Sequence, residues 1–164
     1  MNVNRFADFN LKSNDTDRLL EACATCTPQQ LEAVDFYGNT ALLKACYLGN
    51  LEAVQVLLSF NVNLHAINYF GQNALTLAAY AGSLGVVCEL LKYRSYTDFT
   101  LSSMIPPICV AVLKGHKNLM AFFENMHPMS FRSVHGLTVG DLHNMQEENM
   151  GQNGYCNIFE NVFK

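Results

Sequence analysis

Apolar and polar positions along this chain follow a paired helical rhythm broken by glycines. Between Gly38 and Gly49, the residues Leu42, Ala45 and Cys46 fall on one helical face. Between Gly49 and Asn61, Val54, Leu57 and Leu58 fall on another. The whole pattern returns 33 residues later, with Gly71, Leu75, Ala78, Gly82, Val87 and Leu90-Leu91 standing where Gly38, Leu42, Ala45, Gly49, Val54 and Leu57-Leu58 stood. Two short amphipathic helices cannot bury their apolar faces alone, so repeated copies are expected to stack.

The clearest unit spans 35–67. Asp35-Phe36-Tyr37-Gly38 reads as a tight turn, with glycine where a positive φ is expected. A helix starting at Asn39 or Thr40 runs to about Tyr47, and Gly49 stops it. A second helix runs from Leu51 to about Ser59, and an extended loop over 61–67 leads to the next turn. The unit at 68–100 repeats this plan, with Gly85 inside its second helix at a cost of about 1 kcal/mol relative to alanine.

The unit at 101–133 is more worn. Met104 stands at its turn glycine, Pro106-Pro107-Ile108 starts its first helix, Ala111 and Gly115 keep the spacing, and Leu119, Met120 and Phe123 continue into its second helix. Residues 3–34 read as a divergent N-terminal cap. There Leu19, Leu20, Cys23 and Ala24 form a helical face, and Thr27-Pro28 marks a turn. At 134–164, His135-Gly136-Leu137-Thr138 and the run from Gly154 to Phe163 restate the plan as a C-terminal cap, with an insertion inside Asp141 to Asn153. The fold class this predicts is all-α: a solenoid of about four to five helix-turn-helix repeats with divergent caps, forming a single domain over the whole chain.

The segments GNTALLKACYLG (Gly38 to Gly49) and GQNALTLAAYAG (Gly71 to Gly82) resemble the ankyrin repeat, whose core reads G-x-T-P-L-H-x-A-A-x-x-G. The family's T-P-L-H stands here as Thr40-Ala41-Leu42-Leu43, Asn73-Ala74-Leu75-Thr76 and Pro106-Pro107-Ile108-Cys109. The histidine that ties adjacent turns in the family is therefore missing from all three. That loss, with the absent glycine of the fourth turn, predicts an array weakest near residues 98–106.

Ankyrin arrays bind partners on their concave side, through turn tips and the exposed side of the first helices. The resemblance thus assigns partner binding here to Phe36, Tyr37, Asn39, Tyr47, Leu48, Tyr69, Phe70, Gln72, Tyr80, Ile105, Leu113 and Lys114. Tyr37 and Phe70 are 33 residues apart, as are Tyr47 and Tyr80, so each pair is expected to stack along one surface. Aromatic side chains on an exposed face bring large contact area at low entropy cost. The competing reading is that some of them only pack one repeat on the next. Lys44 stands where the family buries a leucine and is expected to snorkel.

Composition narrows the function further. Half the residues are apolar and only 15% are charged, against roughly 25% in an average soluble domain. The formal net charge is −4, which argues against a general nucleic-acid binder. No apolar run approaches the roughly 18 residues of a membrane span, and the N-terminal residues carry no apolar signal core. The six cysteines read as reduced thiols, which places the chain in the cytoplasm or nucleus.

Cys23-x-x-Cys26 has the spacing of half a zinc site but no second half, so no metal or cofactor is expected. The five histidines show no catalytic pairing, and there is no phosphate-binding glycine loop or nucleophile elbow, so no enzyme is expected. Lys114, His116 and Lys117 form a small basic spot at a helix start. Tyr155, Ile158, Phe159, Val162 and Phe163 make an apolar helical stripe. It is either a closing helix for the stack or a peptide that docks in a partner or in a second copy. The function expected is a non-catalytic protein-binding module, an adaptor or an inhibitor. The alternative is a structural subunit that associates through the C-terminal stripe.

Overall fold

Helix-capping side chains and glycine stops set the element boundaries. The computed structural model describes Leu11 and residues 15–126. The C-terminal unit with its apolar stripe from Tyr155 to Phe163, and the first residues of the N-terminal unit, lie outside the described residues. The described residues form nine α-helices and no strand, an all-α array of stacked helix pairs.

The N-terminal unit supplies α1 (Thr16–Thr25) and α2 (Pro28–Leu31). α1 buries Leu19 and Cys23, but Leu20 and Ala24, expected on the same face, are exposed. Thr27-Pro28, expected as a turn, starts a helix. The Thr27 hydroxyl accepts from the Gln30 amide, and the Gln30 side chain returns the bond to the Thr27 amide.

Three helix pairs follow: α3 (Ala41–Leu48) with α4 (Leu51–Ser59), α5 (Ala74–Ala81) with α6 (Leu84–Leu90), and α8 (Pro107–Lys114) with α9 (Lys117–Met126). Thr40, Asn50, Asn73 and Ser83 each cap a helix start by accepting an amide N–H with the side chain. α3, α5 and α8 end on Gly49, Gly82 and Gly115, whose left-handed φ values of 68°, 74° and 71° let the chain reverse into the second helix. The first helices α3, α5 and α8 pack side by side as an inner row, and each packs on its own second helix. α1 joins the outer helices by packing on α4. The core between the rows is Leu42, Leu43, Leu57, Leu75, Leu77, Leu90, Leu119 and Phe123, all essentially fully buried.

One helix departs from the expected plan. Residues before the fourth turn form α7 (Tyr96–Leu101) instead of an extended loop. Ser95 caps it, with Oγ accepting from the Asp98 amide and donating to the Asp98 carboxylate. Tyr96 and Phe99, one helical turn apart, drop into the core, and the Tyr96 ring packs 5.2 Å from that of Phe123. The guanidinium of Arg94 covers the Phe99 ring at 4.9 Å. The signature Ser95-x-x-Asp98 marks this helix start in the sequence.

Candidate partner-binding surface

Turn tips stand on a buried polar ladder. In the second unit the Asp35 carboxylate accepts the amides of Tyr37 and Asn39, both at 2.9 Å. One repeat later Asn68 does the same for Phe70 and Gln72, at 3.1 and 3.0 Å. The Asn68 side-chain amide also donates to Asn39 Oδ1 at 2.9 Å and to Gln72 Oε1 at 2.7 Å, so the two turns are joined side chain to side chain. Backbone bonds run in parallel: the Tyr69 amide donates to Tyr37 O at 3.1 Å, and the Met104 amide to Gly71 O at 3.0 Å.

Asn39 and Gln72, assigned from the sequence to partner contact, are fully buried in this ladder. Their amides are satisfied inside the protein, so they hold the tips in register and do not face a partner. Lys44 completes the ladder: its Nζ pairs with the Asp35 carboxylate at 3.2 Å. Burial raises the Asp35 pKa, but the Asn39 hydrogen bonds and the Lys44 ammonium outweigh it, and the carboxyl sits below its ordinary range.

The tips carry the aromatics outward. Phe36 is 88% exposed and Tyr69 75% exposed, while Tyr37 is half-buried between them in sequence and space. Phe36 meets Tyr37 edge-on at 5.3 Å, and Tyr37 lies 6.2 Å from Phe70 in a tilted pair. The Tyr69 ring packs directly on Gly38, where a β-carbon would come within 2.8 Å of it. Met104 repeats that packing on Gly71 and is 56% exposed. Its place one repeat after Gly71 was legible, but methionine at a glycine position reads as wear, not as a tip side chain. Ile105 is half-buried against the core behind it.

On the inner row, Tyr47 and Tyr80 stack with centroids 5.3 Å apart and planes 19° from parallel. The Lys114 ammonium sits 4.2 Å above the Tyr80 ring, extending the column into the next repeat. Tyr80 is nearly buried by these neighbours, so the accessible part of the column is Tyr47 with Leu48, Leu113 and Lys114 beside it. His116 Nε2 lies 3.0 Å from Tyr80 O and pins the end of α5 to the fourth repeat.

The missing family histidine is replaced by hydroxyls. Thr76 Oγ1 lies 2.8 Å from Ser103 Oγ, which donates to Ile105 O at 2.9 Å. The Asn73 side-chain amide donates to Phe99 O and to Ser102 Oγ. The segment expected to be weakest is therefore tied to the third repeat at several points.

Cys23 is buried in α1, and burial, followed by the nearby Cys26 thiol, pushes its pKa up to about 11. A neutral buried thiol is a core side chain, not a metal ligand. Among the described residues, no three histidine, cysteine or acidic side chains come together as a metal cluster would require. No helix among them is long and apolar enough to cross a membrane.

Stacked helix pairs, a hydrogen-bonded row of turn tips and an aromatic inner face define a repeat scaffold for protein interaction. A profile described as ankyrin repeats, in three copies, matches residues 7–103. The chain belongs to the ankyrin-repeat family. It is 58% identical over 118 residues to the DNA replication inhibitor plutonium of Drosophila melanogaster, across 70% of this chain and 68% of that protein.

Proposed function

We propose that this chain captures a protein partner on its turn tips and inner helix face and acts as an inhibitor in the control of DNA replication. The observation that carries the reading is the continuous aromatic row: Phe36, Tyr37, Tyr69 and Phe70 on the tips, and Tyr47 over Tyr80 on the inner row. Large apolar side chains held exposed by a buried polar ladder are what an interaction face requires. The inhibitory role is drawn from the similarity to the replication inhibitor of Drosophila. Such a chain works in the cytoplasm or the nucleus. It binds without catalysing.

The test adds the protein to a replication-competent extract and follows nucleotide incorporation. Wild type is expected to suppress synthesis. A variant with Phe36→Ser and Tyr69→Ser, both on exposed positions, is expected to lose suppression while its circular dichroism spectrum stays unchanged. Equal suppression by this variant removes the tips from the binding face, and no suppression by wild type removes the inhibitory role.

A further inference from the structure

The charges of the inner side differ from those of the rest of the molecule. The chain is acidic, with 14 Asp and Glu against 10 Lys and Arg. Yet the sequences of α3, α5 and α8 contain Lys44 and Lys114 and no acidic residue. Among the described residues, the acid at the turns is Asp35, and it is already bonded to Lys44 and to the amides of its own turn. The other described acids stand on α1, on the outer helices, on α7 or at loop and cap positions. At the end of α8 the basic spot gathers Lys114, His116 and Lys117, with Lys114 over the Tyr80 ring at the foot of the aromatic column. His116 is committed to Tyr80 O. An aromatic stripe that ends on lysines is complementary to an apolar segment that carries a carboxylate, since such pairing steers encounter and fixes register.

We infer that the inner face takes an acidic segment of its protein partner, whose carboxylate meets Lys114 and Lys117 while a neighbouring apolar side chain lies against Tyr47. The inference rests on the inner-face reading above and adds the chemistry of the occupant to it. An ammonium seated on a ring keeps its donors oriented. A carboxylate arriving there makes a charge-assisted bond beside apolar surface, where it is worth more than in open water.

The experiment pans a random-peptide phage library on the full chain and measures the selected peptides by fluorescence anisotropy against three proteins: wild type, Tyr47→Ala, and the double variant Lys114→Glu, Lys117→Glu. Circular dichroism confirms that both variants stay folded. The expected result is a set of peptides with Asp or Glu beside an aromatic or aliphatic residue. These should bind the lysine variant about tenfold or more weakly. Peptides that need Tyr47 but are neutral or basic overturn the acidic chemistry and leave the inner face standing. Peptides indifferent to both variants overturn the inner face as well. A panning that returns no acidic binder, or labelled duplex DNA binding through the same lysines, also overturns the inference.

Discussion

The side-chain amide of Asn68 donates to the side-chain oxygen of Asn39, 2.9 Å away and one repeat back along the chain. Both groups are buried, and Asn68 also bonds Gln72 and accepts two backbone amides. One residue thus closes its own turn and docks it on the previous one. Asn68→Ala leaves buried donors and acceptors without partners and is expected to cost about 1–3 kcal/mol. Urea denaturation measures it, and a loss near zero would show that the ladder is dispensable.

Two glycines of the third repeat are expected to respond in opposite directions. Gly82 has a φ of +74°, and an added β-carbon would meet the His116 ring at 2.7 Å. Gly82→Ala is expected to destabilise by about 1–2 kcal/mol from the backbone conformation alone. Gly85 lies inside α6, and its β-carbon would touch only the end of the Leu51 side chain, at 3.2 Å. Gly85→Ala is expected to be neutral or to stabilise by up to about 1 kcal/mol. Thermal melts of the two variants side by side decide it.

Acid should loosen the second turn before the neighbouring one. The folded state lowers the Asp35 pKa, so Asp35 contributes stability that is present above its unfolded value near about 3.9 and is lost as pH falls through its folded value. Asn68, which holds the same place in the next turn, does not titrate. Asp35→Asn is therefore expected to lower stability at neutral pH and to flatten the acid side of the stability profile. A profile whose acid limb keeps the wild-type slope would assign that limb to other carboxylates.

Amide exchange tests the fourth turn. The Met104 amide donates to Gly71 O as the Tyr69 amide donates to Tyr37 O, at 3.0 and 3.1 Å. The two amides are expected to be protected to the same order of magnitude, and Ser103→Ala, which removes the bonds to Thr76 and Ile105, is expected to speed exchange at Met104. Exchange at Met104 that is orders of magnitude faster than at Tyr69 in wild type would restore the picture of a frayed turn.

Much of the scaffold was legible in the sequence, because each mark of it is local. Glycines at 49, 82 and 115 stop helices through their own backbone freedom, and Thr40, Asn50, Asn73 and Ser83 cap helices with atoms two or three residues away. The stacking of Tyr47 on Tyr80 was legible too, since equal repeat positions superpose along a solenoid. α7 was missed although Ser95-x-x-Asp98 announces it, because the repeat register argued for an extended loop there.

By itself the sequence determined the repeat length, the helix pairs, the turns and the family, all of which follow from short-range periodicity and from residues with special backbone preferences. Only the tertiary structure decided which turn residues look outward. Asn39, Gln72 and Phe36 are neighbours or equivalents along the chain, yet the first two are sealed in the ladder and the third stands in solvent. The same holds for Thr76 and Ser103, whose hydroxyls replace the family's histidine across a repeat boundary. A polar side chain's choice between solvent and a buried partner depends on what the next repeat presents to it. That partner lies about thirty residues away in the sequence, beyond the reach of any local pattern.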